Sequence, residues 1–275
     1  MKNLLKSTFI SLFLTFAAFV FIKSLINFKA DTATFGLLIP SFSILTFFVL
    51  LYIRPVARTD RYLVLYTVLI ISGLLVSLII PIEMNIVCSA ILVLGWAMYL
   101  FWYSVFEHRN YTTLQVGKKI PSLQFENINK ETVSLSDFNG SFKVLLFYRG
   151  NWCPLCMAQI QEVVNAYKEL AERHTDVLLI SPQPHTFTEK LAKKYDVPFH
   201  FLVDQNNKAA KSLKIAHKNG LPMGLQVLGY TNDVVEPTVI IIDKDDKIIF
   251  ADLTDNYRVR PEPATFLEII DQHQV

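Results

Sequence analysis

Four long apolar stretches dominate the first part of the chain. They lie near residues 8–28, 36–53, 63–82 and 86–105, and none of them shows the polar face of a helix on the surface of a soluble protein. A bilayer core about 30 Å thick needs roughly 20 apolar residues in one helix. The pattern therefore predicts an α-helical membrane domain with four transmembrane helices at residues 1–112.

The second part, residues 113–275, alternates short apolar runs with helical periodicity. The runs KVLLFYR (143–149) and DVLLIS (176–181) predict buried strands. Between them, apolar positions recur every three or four residues from Pro154 to Leu170, which predicts a helix. A second helix, a two-stranded hairpin and a closing helix follow. This order favours an α/β domain with helices on both faces of one sheet.

Composition and charge support the same division. Hydrophobic residues make up 52% of the 275 residues, and the mean hydropathy is +0.35. Residues 1–112 contain eight basic and four acidic side chains, and the remainder contains 18 basic and 20 acidic ones. Neither part has the basic face that nucleic-acid binding requires, so we exclude nucleic acid as a partner and expect a lipid bilayer instead.

The basic residues indicate the orientation of the helices. Four spans place both chain ends on one side of the membrane, and the short loop after the second span has Arg54, Arg58 and Arg61 on that same side. The opposite side has at most Lys23 and Lys29. Because cytoplasmic loops carry the excess of positive charge, we expect an integral protein of the cytoplasmic membrane whose second domain faces the cytoplasm.

Two cysteines stand where the first buried strand gives way to a helix, in YRGNWCPLCMAQ (148–159). Cys153 precedes Pro154, and proline is favoured at the first position of a helix. Amides at a helix N-terminus stabilise a thiolate, so we expect the pKa of Cys153 to be lowered. Cys156 lies one turn further on, within reach for a disulfide, and Trp152 adds an apolar wall. The sequence predicts a redox-active pair.

Other roles for the two cysteines fit less well. Passive burial would explain Cys156 alone, but not a pair at this spacing on a strand-to-helix junction. A structural zinc site needs four ligands, and the sequence has no second Cys-x-x-Cys and no close pair of histidines. Haem attachment needs a histidine where Met157 stands. Cys88, alone in the fourth apolar stretch, is interpreted as a packing residue. We expect no metal and no cofactor.

The stretch FYRGNWCPLC (147–156) resembles the Phe-Tyr-Arg-Gly-x-Trp-Cys-Pro-x-Cys signature of a known family. That family is the peroxiredoxin-like branch of the alkyl-hydroperoxide-reductase and thiol-specific-antioxidant superfamily. The resemblance continues through SPQPHTFTEKLAKKYDVPFHFLVD and PTVIIIDKDDKIIFAD and covers nearly all of residues 116–271. It implies a thioredoxin-like fold and a thiol enzyme that reduces peroxides or disulfides. The four apolar stretches do not match the family.

The resemblance leaves the roles of the cysteines open. Aligned with peroxiredoxins, Cys156 is the peroxide-attacking residue; aligned with the Trp-Cys-x-x-Cys pattern of thioredoxins, Cys153 attacks and Cys156 resolves. Pro237 stands where thioredoxin-like proteins have a cis-proline, although a simple strand-start proline is an equal alternative. Ordinary peroxiredoxins often have an arginine there. Arg149 is then the only nearby guanidinium to support a thiolate or peroxide oxygen, unless it is a surface charge at a strand end.

Both alignments imply one overall chemistry. A thiolate attacks an O–O or S–S bond, and the other cysteine releases the product by forming the Cys153–Cys156 disulfide. We therefore expect a hydroperoxide or disulfide substrate, a thioredoxin-like protein or a small thiol as electron donor, and an antioxidant role in redox homeostasis. The alternative is a membrane redox sensor or adaptor whose disulfide is only a switch. The oligomeric state stays open.

Overall fold

The computed structural model describes residues 2–28, 31–106, 109 and 112–274. The chain divides into two compact units. The first comprises Met1–Pro55, Thr59–Val105 and Pro222–Gly224, and the second comprises Val56–Arg58, Phe106–Leu221 and Leu225–Val275. Lys29, which the charge analysis placed on the far side of the membrane, lies outside the described residues.

The first unit is helical. Its helices are α1 (Lys2–Ile26), α2 (Thr32–Ile53), α3 (Val64–Ile79) and α4 (Glu83–Met98), and a π-helical turn at Tyr99–Tyr103 continues α4. Asp31 caps α2, because its side chain accepts a hydrogen bond of 2.8 Å from the backbone N–H of Thr34. All four predicted apolar stretches therefore form helices.

Three of these helices, not the predicted four, are long and apolar enough to cross a membrane: Asn3–Ile26, Thr32–Ile53 and Glu83–Tyr103. The remaining helix, α3, has 16 residues, which span about 24 Å at 1.5 Å per residue and fall short of a core about 30 Å thick. The predicted stretch continued to residue 82. The helix ends earlier because Ile80 precedes Pro81, and a residue before proline is disfavoured in the α conformation.

Small residues bring α2, α3 and α4 close together. A Cβ atom on Gly36 would lie 2.3 Å from the Oγ of Ser77, so only glycine fits at that contact. The hydroxyls of Ser77 and Ser89 are 2.9 Å apart, and Ser89 donates to the carbonyl of Gly36 at 2.9 Å. Close packing of small residues and interhelical hydrogen bonds hold helices together where lipid tails supply no hydrophobic driving force.

The second unit is built on a seven-stranded sheet in the order β2-β1-β5-β4-β3-β8-β9, with β6 and β7 paired separately. The strands are β1 (Gln124–Glu126), β2 (Thr132–Ser134), β3 (Phe142–Phe147), β4 (Thr175–Ser181), β5 (His200–Val203), β6 (Ala216–His217), β7 (Val234–Val235), β8 (Thr238–Asp243) and β9 (Ile248–Ala251). The helices are α5 (Pro154–Asn165), α6 (Tyr167–Glu172), α7 (His185–Tyr195), α8 (Lys208–Ser212) and α9 (Pro263–His273). Short 3₁₀ turns lie at Leu135–Asp137, Gln205–Asn207 and Leu225–Leu228.

The strand β3 is the buried strand that the first apolar run predicted. All six of its residues are buried, and it pairs in parallel with β4 and antiparallel with β8. Leu145 and Phe147 point to the same face of the sheet and join the main hydrophobic core. Phe147 lies opposite Thr238, so the cysteine-containing turn that follows β3 starts beside the first residue of β8.

The remaining predicted elements of the second unit also form. The second buried run is β4, the second helix is α7, the hairpin is β8 and β9, and the closing helix is α9. The helix predicted from Pro154 to Leu170 is divided at Ala166, whose backbone (φ −90°, ψ 12°) leaves the helical region. Parallel strands on one side of β3 and an antiparallel hairpin on the other agree with the thioredoxin-like α/β fold that the resemblance implies.

Candidate thiol active site

The turn between β3 and α5 places both cysteines at the start of a helix. Cys153 caps α5 with extended backbone (φ −93°, ψ 107°), and Pro154 is the first helical residue. Cys156 lies in the first turn of α5. The sequence predicted this placement for both residues.

The two sulfur atoms are adjacent and shielded from solvent. The Sγ atoms lie 2.7 Å apart, and both cysteines are free thiols rather than a disulfide. Cys153 is 3% exposed and Cys156 is 0% exposed. A pair in this arrangement can share a proton and can form a disulfide with little backbone movement.

Arg260 supplies a positive charge that the sequence analysis missed. Its Nη1 and Nη2 atoms donate to the Sγ of Cys156 at 3.5 and 3.6 Å. Nη1 also donates to Oε1 of Gln159 at 3.1 Å, and Nε donates to the carbonyl of Tyr257 at 2.8 Å. The expectation that Arg149 is the only guanidinium near the thiols is therefore wrong. Arg260 comes 104 residues after Cys156, and only the folded chain brings the two together.

The surroundings favour a negative charge on Cys156. Burial raises the pKa of this thiol, but the hydrogen bond from Cys153, the charge of Arg260 and the backbone N–H of Arg149 outweigh burial and lower the pKa to about 5. Burial raises the pKa of Cys153 well above its ordinary range, and the hydrogen bond to Cys156 raises it further. At neutral pH, Cys156 is thus the thiolate and Cys153 is the thiol that donates to it.

The prediction of a lowered pKa at Cys153 is wrong because a helix N-terminus affects a pKa less than a cation in direct contact does. A helix N-terminus typically stabilises a negative charge by about 0.3 to 1 kcal/mol, which lowers a pKa by less than about 1. A cation in direct contact lowers a pKa by about 1 to 3. Arg260 hydrogen-bonds to Cys156, so the contact outweighs the helix terminus and the charge moves to the second cysteine.

Arg149 is buried beside the pair, not exposed at the strand end. Arg149 is 7% exposed, and its guanidinium carbon lies 4.8 Å from the centre of the Tyr257 ring. The Nε atom has no hydrogen-bond partner. A buried donor without a partner costs about 1 to 3 kcal/mol, so this N–H would gain from an acceptor brought by a substrate.

The turn from Gly150 to Trp152 is fixed by hydrogen bonds and close packing. The backbone N–H of Asn151 donates to Oε1 of Gln183 at 2.9 Å, and Nε2 of Gln183 donates to the hydroxyl of Tyr148 at 3.0 Å. Gly150 has a φ of +145°, and a Cβ atom there would lie 2.8 Å from Nε1 of Trp152. The glycine therefore permits the indole to fold back over the turn.

Trp152, predicted as an apolar wall, packs against a small buried cluster of Leu221, Tyr230 and Val234. Its Nε1 is buried without a partner, and so is Nε2 of Gln159. No sequence pattern selects Gln159, which lies one turn after Cys156 and accepts from Arg260. Arg149, Trp152 and Gln159, which are close to the cysteines in sequence, thus hold three buried N–H donors without a partner.

Pro237 does not have the geometry that the resemblance implied. No peptide bond among the described residues is cis, so the bond before Pro237 is trans. The residue is buried, and its carbonyl accepts a hydrogen bond of 2.7 Å from Nη2 of Arg109, which also donates to Oγ1 of Thr238 at 2.8 Å. Pro237 agrees with the alternative interpretation, a proline at the start of a strand.

His185 and Cys88 belong to other parts of the fold. Nε2 of His185 is 2.6 Å from Oε2 of Glu126 on β1, and Cys88 belongs to α4 of the first unit. Within the described part of the chain, no group of three or more His, Cys, Asp and Glu side chains is placed to hold a metal ion.

Comparison with known proteins relates the second half of the chain to the AhpC/TSA family and to peroxiredoxins. Residues 116–251 match the AhpC/TSA family. Peroxiredoxin Bcp of Bacillus subtilis (strain 168) is 29% identical over 139 residues, which are 50% of this chain and 83% of that protein. The chloroplastic peroxiredoxin Q of Triticum aestivum is 33% identical over 95 residues, 34% of this chain and 44% of that protein. This chain thus spans less than half of the wheat relative.

Among solved structures, the peroxidoxin BcpB of Mycobacterium tuberculosis aligns at 17% identity with a TM-score of 0.49, over 59% of this chain and 99% of that one. The fold assignment rests on the strand order and on the family match. Helices α1 to α4 lie before the residues that match the family.

Replacing Arg260 by Gln tests the charge at the site. The wild-type thiolate should form with a midpoint near pH 5, and loss of the cation should raise the pKa of Cys156 by about 1 to 3. Because the thiolate is the reactive form, the rate of oxidation by hydrogen peroxide should fall at acid pH and stay near wild type at alkaline pH. Stopped-flow fluorescence measures the rate of oxidation at each pH, and the dependence of the rate on pH gives the midpoint. Arg173→Gln, which removes a partly exposed cation paired with Asp271, should keep the midpoint. An unchanged midpoint in Arg260→Gln would contradict the role of Arg260.

Replacing Gly150 by Ala tests the turn. The positive φ imposes strain of about 1 to 3 kcal/mol on a residue with a Cβ atom, and here the Cβ atom also meets Trp152. Gly117→Ala is the matched control, because Gly117 has a φ of +86° but its Cβ atom would meet nothing within 4 Å. Thermal unfolding should show the larger loss for Gly150→Ala, with slower oxidation by peroxide in that variant alone. Equal losses would mean that contact with Trp152 is unimportant.

Proposed function

Because residues 116–251 make the second half of this chain a peroxiredoxin-like domain of the AhpC/TSA family, we propose that the protein is a membrane-anchored thiol-dependent peroxidase. Cys156 is the attacking residue and Cys153 the resolving one. The observation that carries this proposal is the position of Cys156, whose sulfur accepts from Arg260 at 3.5 Å and lies 2.7 Å from the sulfur of Cys153.

The reaction proceeds in two steps at these sulfurs. The Cys156 thiolate attacks one oxygen of a hydroperoxide, the O–O bond breaks, and the leaving alkoxide takes a proton to become an alcohol or, from hydrogen peroxide, water. Cys156 is now a sulfenic acid. The thiol of Cys153 attacks that sulfur, a disulfide forms and water leaves. A thioredoxin-like protein or a small thiol then supplies two electrons and two protons to restore both cysteines.

The unused donors support a peroxide as substrate. Arg149, Trp152 and Gln159 each have a buried side-chain N–H without a partner. The oxygens of a hydroperoxide accept hydrogen bonds, and the negative charge that develops on the leaving oxygen accepts them more strongly. A disulfide substrate presents sulfur, which is a weak acceptor. Buried N–H donors therefore favour an oxygen-containing substrate.

Disulfide exchange is the second candidate. It is favoured by the Cys-x-x-Cys spacing and by exposure, because Cys153 has the small accessible surface that Cys156 lacks. In that reaction Cys153 would attack a partner's disulfide, as in thioredoxins. The raised pKa of Cys153 opposes this role at neutral pH, because the thiol form is a poor nucleophile.

The membrane part of the proposal rests on the apolar helices. Three helices of the first unit have the length and composition to span a bilayer. The loop between α2 and α3 contains Arg54, Arg58 and Arg61, and Lys118 and Lys119 lie at the start of the residues that match the family. By the positive-inside rule these residues favour the cytoplasmic side. We therefore propose the cytoplasmic membrane as the location, with the thiol site facing the cytoplasm.

Separate substitutions of the cysteines test the assignment of roles. Cys156→Ser should lose rapid oxidation by hydrogen peroxide. Cys153→Ser should still react once, because its hydroxyl can donate to the thiolate, and should accumulate a sulfenic acid on Cys156 without turnover. Trapping with dimedone and mass spectrometry measures this on the full chain in detergent, with Cys88→Ser as the control that keeps full activity. Rapid oxidation in Cys156→Ser would refute the assignment, and turnover with insulin disulfides alone would support disulfide exchange.

A reporter fused to the C-terminus tests the orientation. We expect green fluorescent protein at that end to fluoresce and alkaline phosphatase to be inactive, because the first folds in the cytoplasm and the second needs an oxidising compartment to form its disulfides. The reverse pair of results would place the thiol site on the outer side of the membrane.

A further inference from the structure

All three nitrogen atoms of the Arg58 guanidinium donate hydrogen bonds to the segment that contains Arg260. It lies in Val56–Arg58, between α2 and α3 in the chain, and this segment belongs to the second unit. Nε donates to the carbonyl of Arg260 at 3.0 Å, and Nη2 donates to the carbonyl of Pro261 at 3.4 Å. Nη1 donates to Oε1 of Glu262 at 3.2 Å. Three successive residues are thus held by one side chain.

The same guanidinium is anchored to helix α5. Nη1 and Nη2 donate to the two carboxylate oxygens of Glu162 at 3.3 and 2.5 Å. An isolated ion pair with partial exposure contributes little, typically 0 to about 1 kcal/mol. This pair differs because it is bidentate and shares its cation with two carbonyls and a second carboxylate, which fixes the geometry of the fork.

Arg58 and Arg260 contact one row of side chains on α5. Cys156, Gln159 and Glu162 are spaced by three residues, so they lie along one side of the helix. Arg260 bonds to the first two, and Arg58 bonds to the third. The main chain of Arg260 is therefore tied to α5 by Arg58, while its side chain reaches the thiol further along the same row.

We propose that Arg58 is a positioning residue that holds the Arg260–Glu262 segment against α5 and so keeps the Arg260 guanidinium on the sulfur of Cys156. The inference deepens the proposed peroxidase function and rests on it. Both arginines lie outside residues 116–251, which match the family. The reactivity of the thiol then depends on a residue that the chain supplies from between two apolar helices.

Charge variants of the full chain in detergent test this proposal. In a Cys88→Ser background, the ultraviolet absorbance of the thiolate is followed against pH, which requires no peroxide. Arg58→Gln should raise the lower midpoint by about 1, because the cation that lowers it is no longer held in contact. Oxidation by hydrogen peroxide at about pH 5.5 should then slow about threefold, with little change at pH 8. Arg54→Gln, which removes a cation from the same loop without a side-chain bond to α5, should leave both measurements unchanged.

Two comparisons separate positioning from other effects of Arg58. In an Arg260→Gln background, Arg58→Gln should add almost no further rise in the midpoint, whereas a full additional rise would mean that Arg58 acts directly on the sulfur and would overturn the proposal. Arg58→Lys keeps the charge but not the fork, so it should raise the midpoint as Gln does; a wild-type midpoint would overturn the proposal.

Loss of thermal stability in Arg58→Gln with an unchanged midpoint would show a merely structural role and would also overturn it. If Arg58→Gln does not fold, Glu162→Gln repeats the titration by removing the bidentate pair that ties Arg58 to α5, and an unchanged midpoint there has the same meaning. A failed peroxidase assay would contradict the proposed function. The thiolate titration needs no turnover, so it would still test the role of Arg58.

Discussion

The contact between the Arg260 guanidinium and the Cys156 sulfur is the interaction on which the site depends. Both groups are buried, and a charge buried without a partner costs several kcal/mol. The charge of Arg260 stabilises the buried thiolate, and the thiolate accepts hydrogen bonds from the buried guanidinium. The bonds from Arg260 to Gln159 and to the carbonyl of Tyr257 fix the direction in which the cation points. The hydrogen bond from Cys153, the charge of Arg260 and the backbone N–H of Arg149 together lower the pKa of Cys156, so this cysteine is the one that ionises.

Local features of the sequence predicted the frame of the site but not its electrostatics. The apolar run before the cysteines, the proline after Cys153 and the helical spacing beyond it are all properties of neighbouring residues, and β3 and α5 form where they indicate. Arg260 was missed because nothing in its own surroundings distinguishes it. The only signal is a pair of arginines, Arg258 and Arg260, before the closing helix, and both turn out to be buried. The trans bond before Pro237 likewise depends on the folded backbone.

The first unit shows where composition alone reaches its limit. The four apolar stretches correctly predicted four helices. The stretch at residues 63–82 overestimated the length of α3, because the helix ends before Pro81 while the apolar residues continue. The chain between α2 and α3 also includes Val56–Arg58, which belongs to the second unit and whose Arg58 bonds to Glu162. The residues that match the AhpC/TSA family thus receive side-chain contacts from residues outside the match.

Alkylation of the reduced wild-type protein tests most directly whether Cys156 is the ionised thiol. The reaction is run with a small reagent such as iodoacetamide at about pH 6, above the pKa of about 5 for Cys156 and below that of an ordinary thiol. Mass spectrometry then identifies the modified residue. Modification of Cys156 ahead of Cys153 is the expected result. Modification of Cys153 first, or equal and slow modification of both, would contradict the assignment of the thiolate to Cys156.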